Sequence, residues 1–567
     1  MTRKLLVRDA CKLLIGWLLS FGLIGTLNWW LLSRGFRSDD ATGAFAKSLI
    51  VATSPAPLAK IVVTFPQVPL LLASVARAVP GGASPALPYV LGALLASFVP
   101  AWLYGKMRRE GCGILSAASV AFLLTIHPMF LWAGTTGVEN AATLLIYIYF
   151  SLSLLRIAWE QDARGFMMLA ITLPLLLFSS PVAGLLMGAL LLLLPVALPR
   201  SMVSANPAAG YVAAFVPPAI AVLSWIYISW IFHVDWRTVI FPEFSKRLLS
   251  TDLETLWRLN AGFDYFALPV VLSFFAVAAA PLLFATMRWT GVPIQSRRAI
   301  FVASLAPVLV ALFEIAEDRL SHPAPVLMLL CAALIAVVRR FPDLTIQSPF
   351  RVAGLLLLGA LGGAAFLQVS PSSEFVSWQQ SLLGKHSDAL HLPERSVGKW
   401  LAAEKEETIL DVTGAYPLIA ARASASHLLL PGVPDFGVQL QANWLSTPQF
   451  VVPDPATAQG ALNVINRRYP SAYSSGMQGY TLAYDSDGWR VYRLAALPGL
   501  PASVNATDID STGAPEVWIW TAAILAVLAG GTALLSLLAQ MKSPRKSVLL
   551  SLNLNGAEPE RVESAPL

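Results

Sequence analysis

Apolar runs of about twenty residues, the length needed to cross a bilayer, recur along the chain and are closed by short polar stretches. The first, residues 11–33, follows a tail carrying Arg3, Lys4, Arg8 and Lys12. Basic residues mark the cytoplasmic side of a span, so everything just beyond residue 33 is expected at the opposite face. The run is too long, and lacks the small-residue cleavage site, to be a removable signal peptide. Further spans are expected at about 88–105, 112–133 and 138–155, then a short pair at 166–178 and 182–197 broken at Ser179-Ser180-Pro181. A seventh at 211–233, an eighth reaching Arg288, and others at 299–315, 325–338, 352–368 and 517–538 make about twelve. Lys106/Arg108/Arg109, Arg156 to Arg164, Arg288/Arg297/Arg298, Arg339/Arg340 and Lys542/Arg545/Lys546 close the turns that this alternation assigns to the cytoplasm, as does Arg200. Both termini then lie in the cytoplasm.

Between the first two spans, the stretches 45–62 and 68–79 are too short or too proline-broken to cross and are expected as interfacial helices. The pattern changes at about Ser370. Strand-like runs at 408–412, 427–430, 450–452, 480–484 and 489–494 alternate with turn signals such as Pro431-Gly432 and Pro453-Asp454-Pro455. The expected organisation is a helical membrane domain over 1–369, an extracytoplasmic α/β domain over 370–515, a final span over 516–541 and a disordered polar tail over 542–567. There is no internal repeat.

Composition agrees with the spans: 56% of the 567 residues are hydrophobic, 13% are charged, and the mean hydropathy is +0.65. The net charge of +6 follows from basic cytoplasmic loops and calls for no nucleic-acid partner. Cys11, Cys112 and Cys331 all fall in or beside spans, which supports neither a disulfide framework nor a zinc site.

Candidate chemistry gathers at the far face. Asp39 and Asp40 follow the first span, Glu139 opens the fourth, acids from Asp235 to Asp264 occupy a polar loop, and Glu317-Asp318-Arg319 precedes His322. Each has a plain alternative: aspartates cap helices, Glu139 caps the fourth helix, Arg319 snorkels to headgroups, and His-Pro pairs mark turns. In the α/β segment, Asp411, Tyr416, Asp454, Arg467/Arg468, Trp444 and Trp489 have either glycan-binding or purely structural readings.

The order of these features carries a resemblance. Arg37-Ser38-Asp39-Asp40 follows the first span, Phe65-Pro66 and Pro69-Leu70 follow in the broken helices, and Arg319 precedes Pro323 and Pro325 in a late turn. This resembles the GT-C superfamily of polytopic glycosyltransferases, nearest the bacterial lipid A aminoarabinose transferase and protein O-mannosyltransferase branch. The last strand-like run, Trp489 to Leu494, is similar to the end of the periplasmic domain on many of these enzymes. Two departures stand out: Phe45 lies near where tyrosine is common, and Leu320 replaces the tyrosine after Arg319.

The resemblance implies transfer of a sugar from a polyprenyl-phosphate donor to a lipid, glycan or protein acceptor at the periplasmic face of a bacterial inner membrane. Asp39 would be the general base and Asp40 would position the acceptor or tune Asp39. Arg319 would bind the donor phosphate, assisted by His322 and Lys60, with Glu139 lining the acceptor cavity. No nucleotide is required; a divalent metal serves some branches, but the acids show no dedicated metal spacing. The rival readings are a secondary transporter, which predicts repeats and midplane polar groups, and a lipid-linked glycan polymerase or ligase. A third is a catalytically silent assembly subunit.

Overall fold

The computed structural model describes residues 2–54, 57–78, 84–109, 111–160, 163–180, 182–198, 207–231, 274–282, 294–316, 326, 328, 330–332, 334, 348–369, 373–387, 391–431, 436, 447–486 and 488–495. The helix α1 (Thr2–Ser33) leads into three short helices, α2 (Asp39–Thr53), α3 (Pro57–Val63) and α4 (Gln67–Arg77). Then come α5 (Leu87–Arg109), α6 (Ile114–Thr125), α7 (Pro128–Thr135), α8 (Val138–Glu160), α9 (Ala163–Leu177), α10 (Val182–Ala197) and α11 (Pro207–Ile231). Beyond these lie α12 (Ile294–Ala316), α13 (Ser348–Val369), α14 (Ser373–Leu382) and α15 (Leu392–Ala403).

Among the described residues, five helical stretches are long and apolar enough to cross a membrane: Leu13–Ser33, Leu87–Arg109, Val138–Ala158, Ala208–Ile231 and Pro349–Val369. The pair α6 and α7, bent by 63°, adds a sixth if it forms one broken span. The bend falls at His127-Pro128, where proline lacks the N–H that would continue the helical ladder. The chain is therefore a multi-pass helical membrane protein, with five or six candidate spans among the described residues; about twelve were expected over the whole chain. Much of the sequence expected to form the eighth, tenth and twelfth spans lies outside those residues. The fifth and sixth appear as α9 and α10, of 15 and 16 residues, slightly short of the roughly 17 needed for a full crossing.

The interfacial stretch differs from expectation in register. Its first helix starts at Asp39 instead of Phe45 and stops at Thr53 instead of continuing to residue 62. Pro55 and Pro57 remove two backbone donors, and a residue before proline is pushed out of the helical region, so Ser54 is extended. At the other end, two acids in the first turn complement the helix dipole.

All five expected strands form: β1 (Thr408–Leu410), β2 (Leu428–Leu429), β3 (Gln449–Pro453), β4 (Tyr480–Ser486) and β5 (Trp489–Leu494). They make one mixed sheet in the order β2-β1-β3-β5-β4, parallel across β2-β1-β3 and antiparallel across β3-β5-β4. The short helix α16 (Tyr416–Arg422) lies between β1 and β2 in sequence and packs on α15 and α2.

Two separate cores meet at α2. The membrane helices bury Ile24, Tyr89, Phe130, Trp132, Tyr147 and Phe150, and Ala41 of α2 joins them. From the same helix, Phe45, Ala46 and Leu49 enter the core of the α/β region with Leu401, Leu410, Leu418, Val451 and Val491. The Phe45 ring is 1% exposed, set between this apolar core and the Arg77 guanidinium, which lies 5.8 Å from its centroid.

Candidate active site

The start of α2 is fastened to the membrane helices before any acid is considered. The Ser38 amide donates to the Tyr89 hydroxyl at 2.8 Å. Tyr89 is held in turn through its carbonyl, which accepts from the Asn28 side-chain amide at 3.0 Å; the same amide donates to the Gly134 carbonyl at 3.3 Å. Two glycines allow the close approach. A Cβ on Gly92 would lie 2.4 Å from the Gly137 carbonyl oxygen. One on Gly137, whose φ is +129°, would lie 3.1 Å from Ala41.

The adjacent carboxylates then diverge to different partners. Asp40 Oδ2 accepts from Asn140 Nδ2 at 2.6 Å, which ties it to the first turn of α8. Asp39 Oδ1 pairs with His391 Nε2, also at 2.6 Å, which ties it to the residue preceding α15. The Asp39 side chain remains 55% exposed and that of His391 only 20%, so the acid is still reachable from solvent. Glu394 Oε1 lies 3.8 Å from the other ring nitrogen of His391. Burial alone would lower the imidazole pKa, but the hydrogen bonds and charges of Asp39 and Glu394 outweigh it and raise it to about 10. His391 is an imidazolium at neutral pH. The pKa of Glu394 moves down, because its interactions with His391 outweigh its own burial.

A third carboxyl stands beside the pair. Glu374 opens α14, and its Oε1 is buried without a hydrogen-bond partner. Burial, then repulsion from Asp39 and Asp40, pushes its pKa well above the usual carboxylate range, against hydrogen bonds from Ser38 and the Asp39 backbone that pull it down. The helix carrying it is anchored on the membrane body: Trp378 Nε1 donates to Thr135 Oγ1 at 2.9 Å, and Phe375 meets Trp132 edge-on at 5.4 Å. The Ser387 amide continues the attachment, donating to the Arg34 carbonyl at 2.9 Å.

Of the residues expected to act, Asp39 and Asp40 fall together at this junction. Glu139 is half-buried beside Asn140 in the first turn of α8. Its neighbour Asn140 is the residue whose side-chain amide donates to Asp40. Lys60 lies on α3, where burial lowers the pKa of its ammonium. Arg319, His322 and the loop acids from Asp235 to Asp264 lie outside the described residues, so the expected convergence of diacid and guanidinium falls outside them too. In the α/β region Trp489 is buried in the core, and Asp411 accepts from the Val464 amide at 2.9 Å, a structural arrangement in both cases. Tyr416 lies under the Lys47 ammonium, 5.1 Å from its ring centroid. Trp444 is outside the described residues.

His391, Glu374 and Asn140 escaped the sequence reading as site residues. The first two sit in the segment expected as a separate domain. A local signal existed for His391: Leu392-Pro393 directly after it, with proline in the first helical turn, marks a helix start. The arrangement offers an accessible carboxylate with one oxygen engaged, a neighbouring carboxylate held by an amide, and a buried carboxyl behind them. That is suited to proton abstraction at the surface. Among the described residues, no group of three or more His, Cys, Asp or Glu is disposed to hold a metal ion.

No family model matches the sequence, and no curated protein matches it either. The fold does have solved counterparts. A crystal structure of ArnT from Cupriavidus metallidurans bound to undecaprenyl phosphate superposes with a TM-score of 0.50 at 14% identity, covering 86% of this chain and 99% of that one. The apo structure of the same protein gives 0.46 at the same identity and coverage. The resemblance expected from the sequence is met at the level of fold: the chain is built like ArnT.

Proposed function

We propose that this ArnT-like membrane protein is a glycosyltransferase that moves a sugar from a polyprenyl-phosphate donor to an acceptor at the periplasmic face of a bacterial inner membrane. The observation that carries this reading is the junction itself. An accessible carboxylate at the start of α2 lies where the membrane helices meet the α/β region, in a fold whose solved counterpart was crystallised with undecaprenyl phosphate.

In this reading Asp39 takes the proton from an acceptor hydroxyl or amine. The acceptor atom bonds to the sugar's anomeric carbon as the carbon–oxygen bond to phosphate breaks, and the electron pair leaves with the polyprenyl phosphate. Asp39 then releases its proton to water. Asp40, fixed by Asn140, positions the acceptor, and Glu139 lines its cavity. Lys60, Arg319 and His322 bind the donor phosphate, with Arg319 offering paired donors to its oxygens. The proposed topology has about twelve spans with both termini in the cytoplasm, an α/β domain over 370–515 and a final span over 516–541.

The test is transfer by purified full-length protein in lipid nanodiscs. It is offered a panel of radiolabelled polyprenyl-phosphate monosaccharides in one arm and a pyrophosphate-linked oligosaccharide in the other, each with extracted envelope lipids and glycans as acceptors. Label should move to an acceptor from a monophosphate donor. Transfer from the pyrophosphate donor alone would replace this reading with a polymerase or ligase.

A further inference from the structure

We infer that His391, contributed by the α/β region, is a positioning residue for Asp39, so that the reactive carboxylate is completed from two distant parts of the chain. This rests on the reading of Asp39 as the base.

The two residues are 352 positions apart in sequence, yet their side chains meet at 2.6 Å. The contact engages only Oδ1 of Asp39, leaving the second oxygen to accept a proton. Among the described residues no other side-chain hydrogen bond holds the Asp39 carboxylate. Its side chain is more than half exposed, and the preceding Ser38 makes no side-chain cap at the start of α2. Asp40 cannot share the task, because its own carboxylate is drawn toward α8 by Asn140.

His391 is itself well placed to be rigid. Its backbone is left-handed, at φ 55°, immediately before a helix opened by Leu392-Pro393, and its ring lies between Asp39 of α2 and Glu394 of its own helix. α15 in turn shares the core that receives Phe45 and Leu49 of α2. The packing that seats the helix and the hydrogen bond that aims the carboxylate therefore come from the same region. A ring nitrogen held at this distance limits the rotation of the Asp39 carboxylate.

The experiment compares wild type with His391→Gln, His391→Lys and His391→Ala in nanodiscs, following transfer from a polyprenyl-phosphate monosaccharide across pH. Undecaprenyl phosphate binding controls for folding and should stay within about threefold. Loss of a positioning group should lower kcat by at least about tenfold in His391→Ala, less than the roughly 100- to 10,000-fold contribution of a catalytic base, with KM little changed. His391→Lys, which restores a cationic donor, should recover part of kcat. His391→Gln should lose the alkaline limb that imidazolium deprotonation gives the wild type. Unchanged kcat in the Ala variant, or the same alkaline limb in wild type and the Gln variant, overturns the positioning role while leaving the transferase reading intact. A wild type that transfers no sugar from any donor defeats both.

Discussion

The membrane helices and the α/β region satisfy their polar groups by different means. In the helical body most threonine hydroxyls return to their own helix, as Thr125, Thr135 and Thr172 do by donating to the carbonyl four residues back, while Thr143 and Tyr147 reach Ser179 and the Ala303 carbonyl. Such local bonds suit a medium without water, because they complete in the helix alone. In the α/β region charged side chains reach across elements, as Arg493 does to Glu404 at 2.6 Å and to Glu406 at 3.2 Å. The helix α2 belongs to both regions. Asp40 takes an amide partner from the membrane body, and Asp39 takes a charged imidazole from the α/β side. Reactive charge sits where the low-dielectric body ends and long-range pairing becomes available.

That contrast can be broken in graded steps. The largest effect is expected from Asp39→Asn, which keeps the shape of the carboxylate but abolishes its basicity. Transfer should fall about 100- to 10,000-fold while undecaprenyl phosphate binding persists. Next, Phe45→Ala removes the ring that α2 inserts into the α/β core. Urea titration of the α/β region, followed by limited proteolysis within residues 392–494, should show a loss of about 3–5 kcal/mol, with little change in the membrane helices.

The pH response comes third. The raised pKa of His391 means that its contribution to docking is fully present below about 6.5, its unfolded value, and is lost as pH rises through about 10. Glu394, whose pKa is lowered, contributes above its ordinary value of 4.5 and loses that contribution as pH falls through its folded value. Amide protection in α15, taken relative to the intrinsic exchange rate, should be greatest between these limits and should fall toward pH 10, whereas protection in α5 should change little with pH. The smallest effect is expected from Trp378→Phe, which deletes the bond to Thr135 and should cost about 1 kcal/mol in the thermal stability of the α14 attachment.

Much of this architecture was legible in the residue pattern. The strand runs were bounded by turn residues, and each of the five formed; the apolar stretches at 11–33, 88–105 and 138–155 lie within long apolar helices. The diacid was visible because two adjacent acids just beyond a span are unusual. Its partners were not, because the pairing of Asp39 with His391 spans 352 residues and neither residue's neighbours encode it. The double role of α2 was hidden for another reason. Phe45 and Leu49 have the apolar spacing of a helix lying on lipid, and only the presence of the α/β region shows that they are buried in protein. The helix α2 starts six residues before the expected stretch, because its acidic first turn, Asp39 and Asp40, precedes the run of apolar positions.

The most direct measurement is photocrosslinking with a polyprenyl phosphate carrying a diazirine beside its phosphate, followed by peptide mapping of the nanodisc-embedded protein. Label concentrated in residues 39–77 and displaced by undecaprenyl phosphate is the expected result. Label spread over the lipid-facing sides of α1 and α11, with no displacement, would contradict a donor site at the junction.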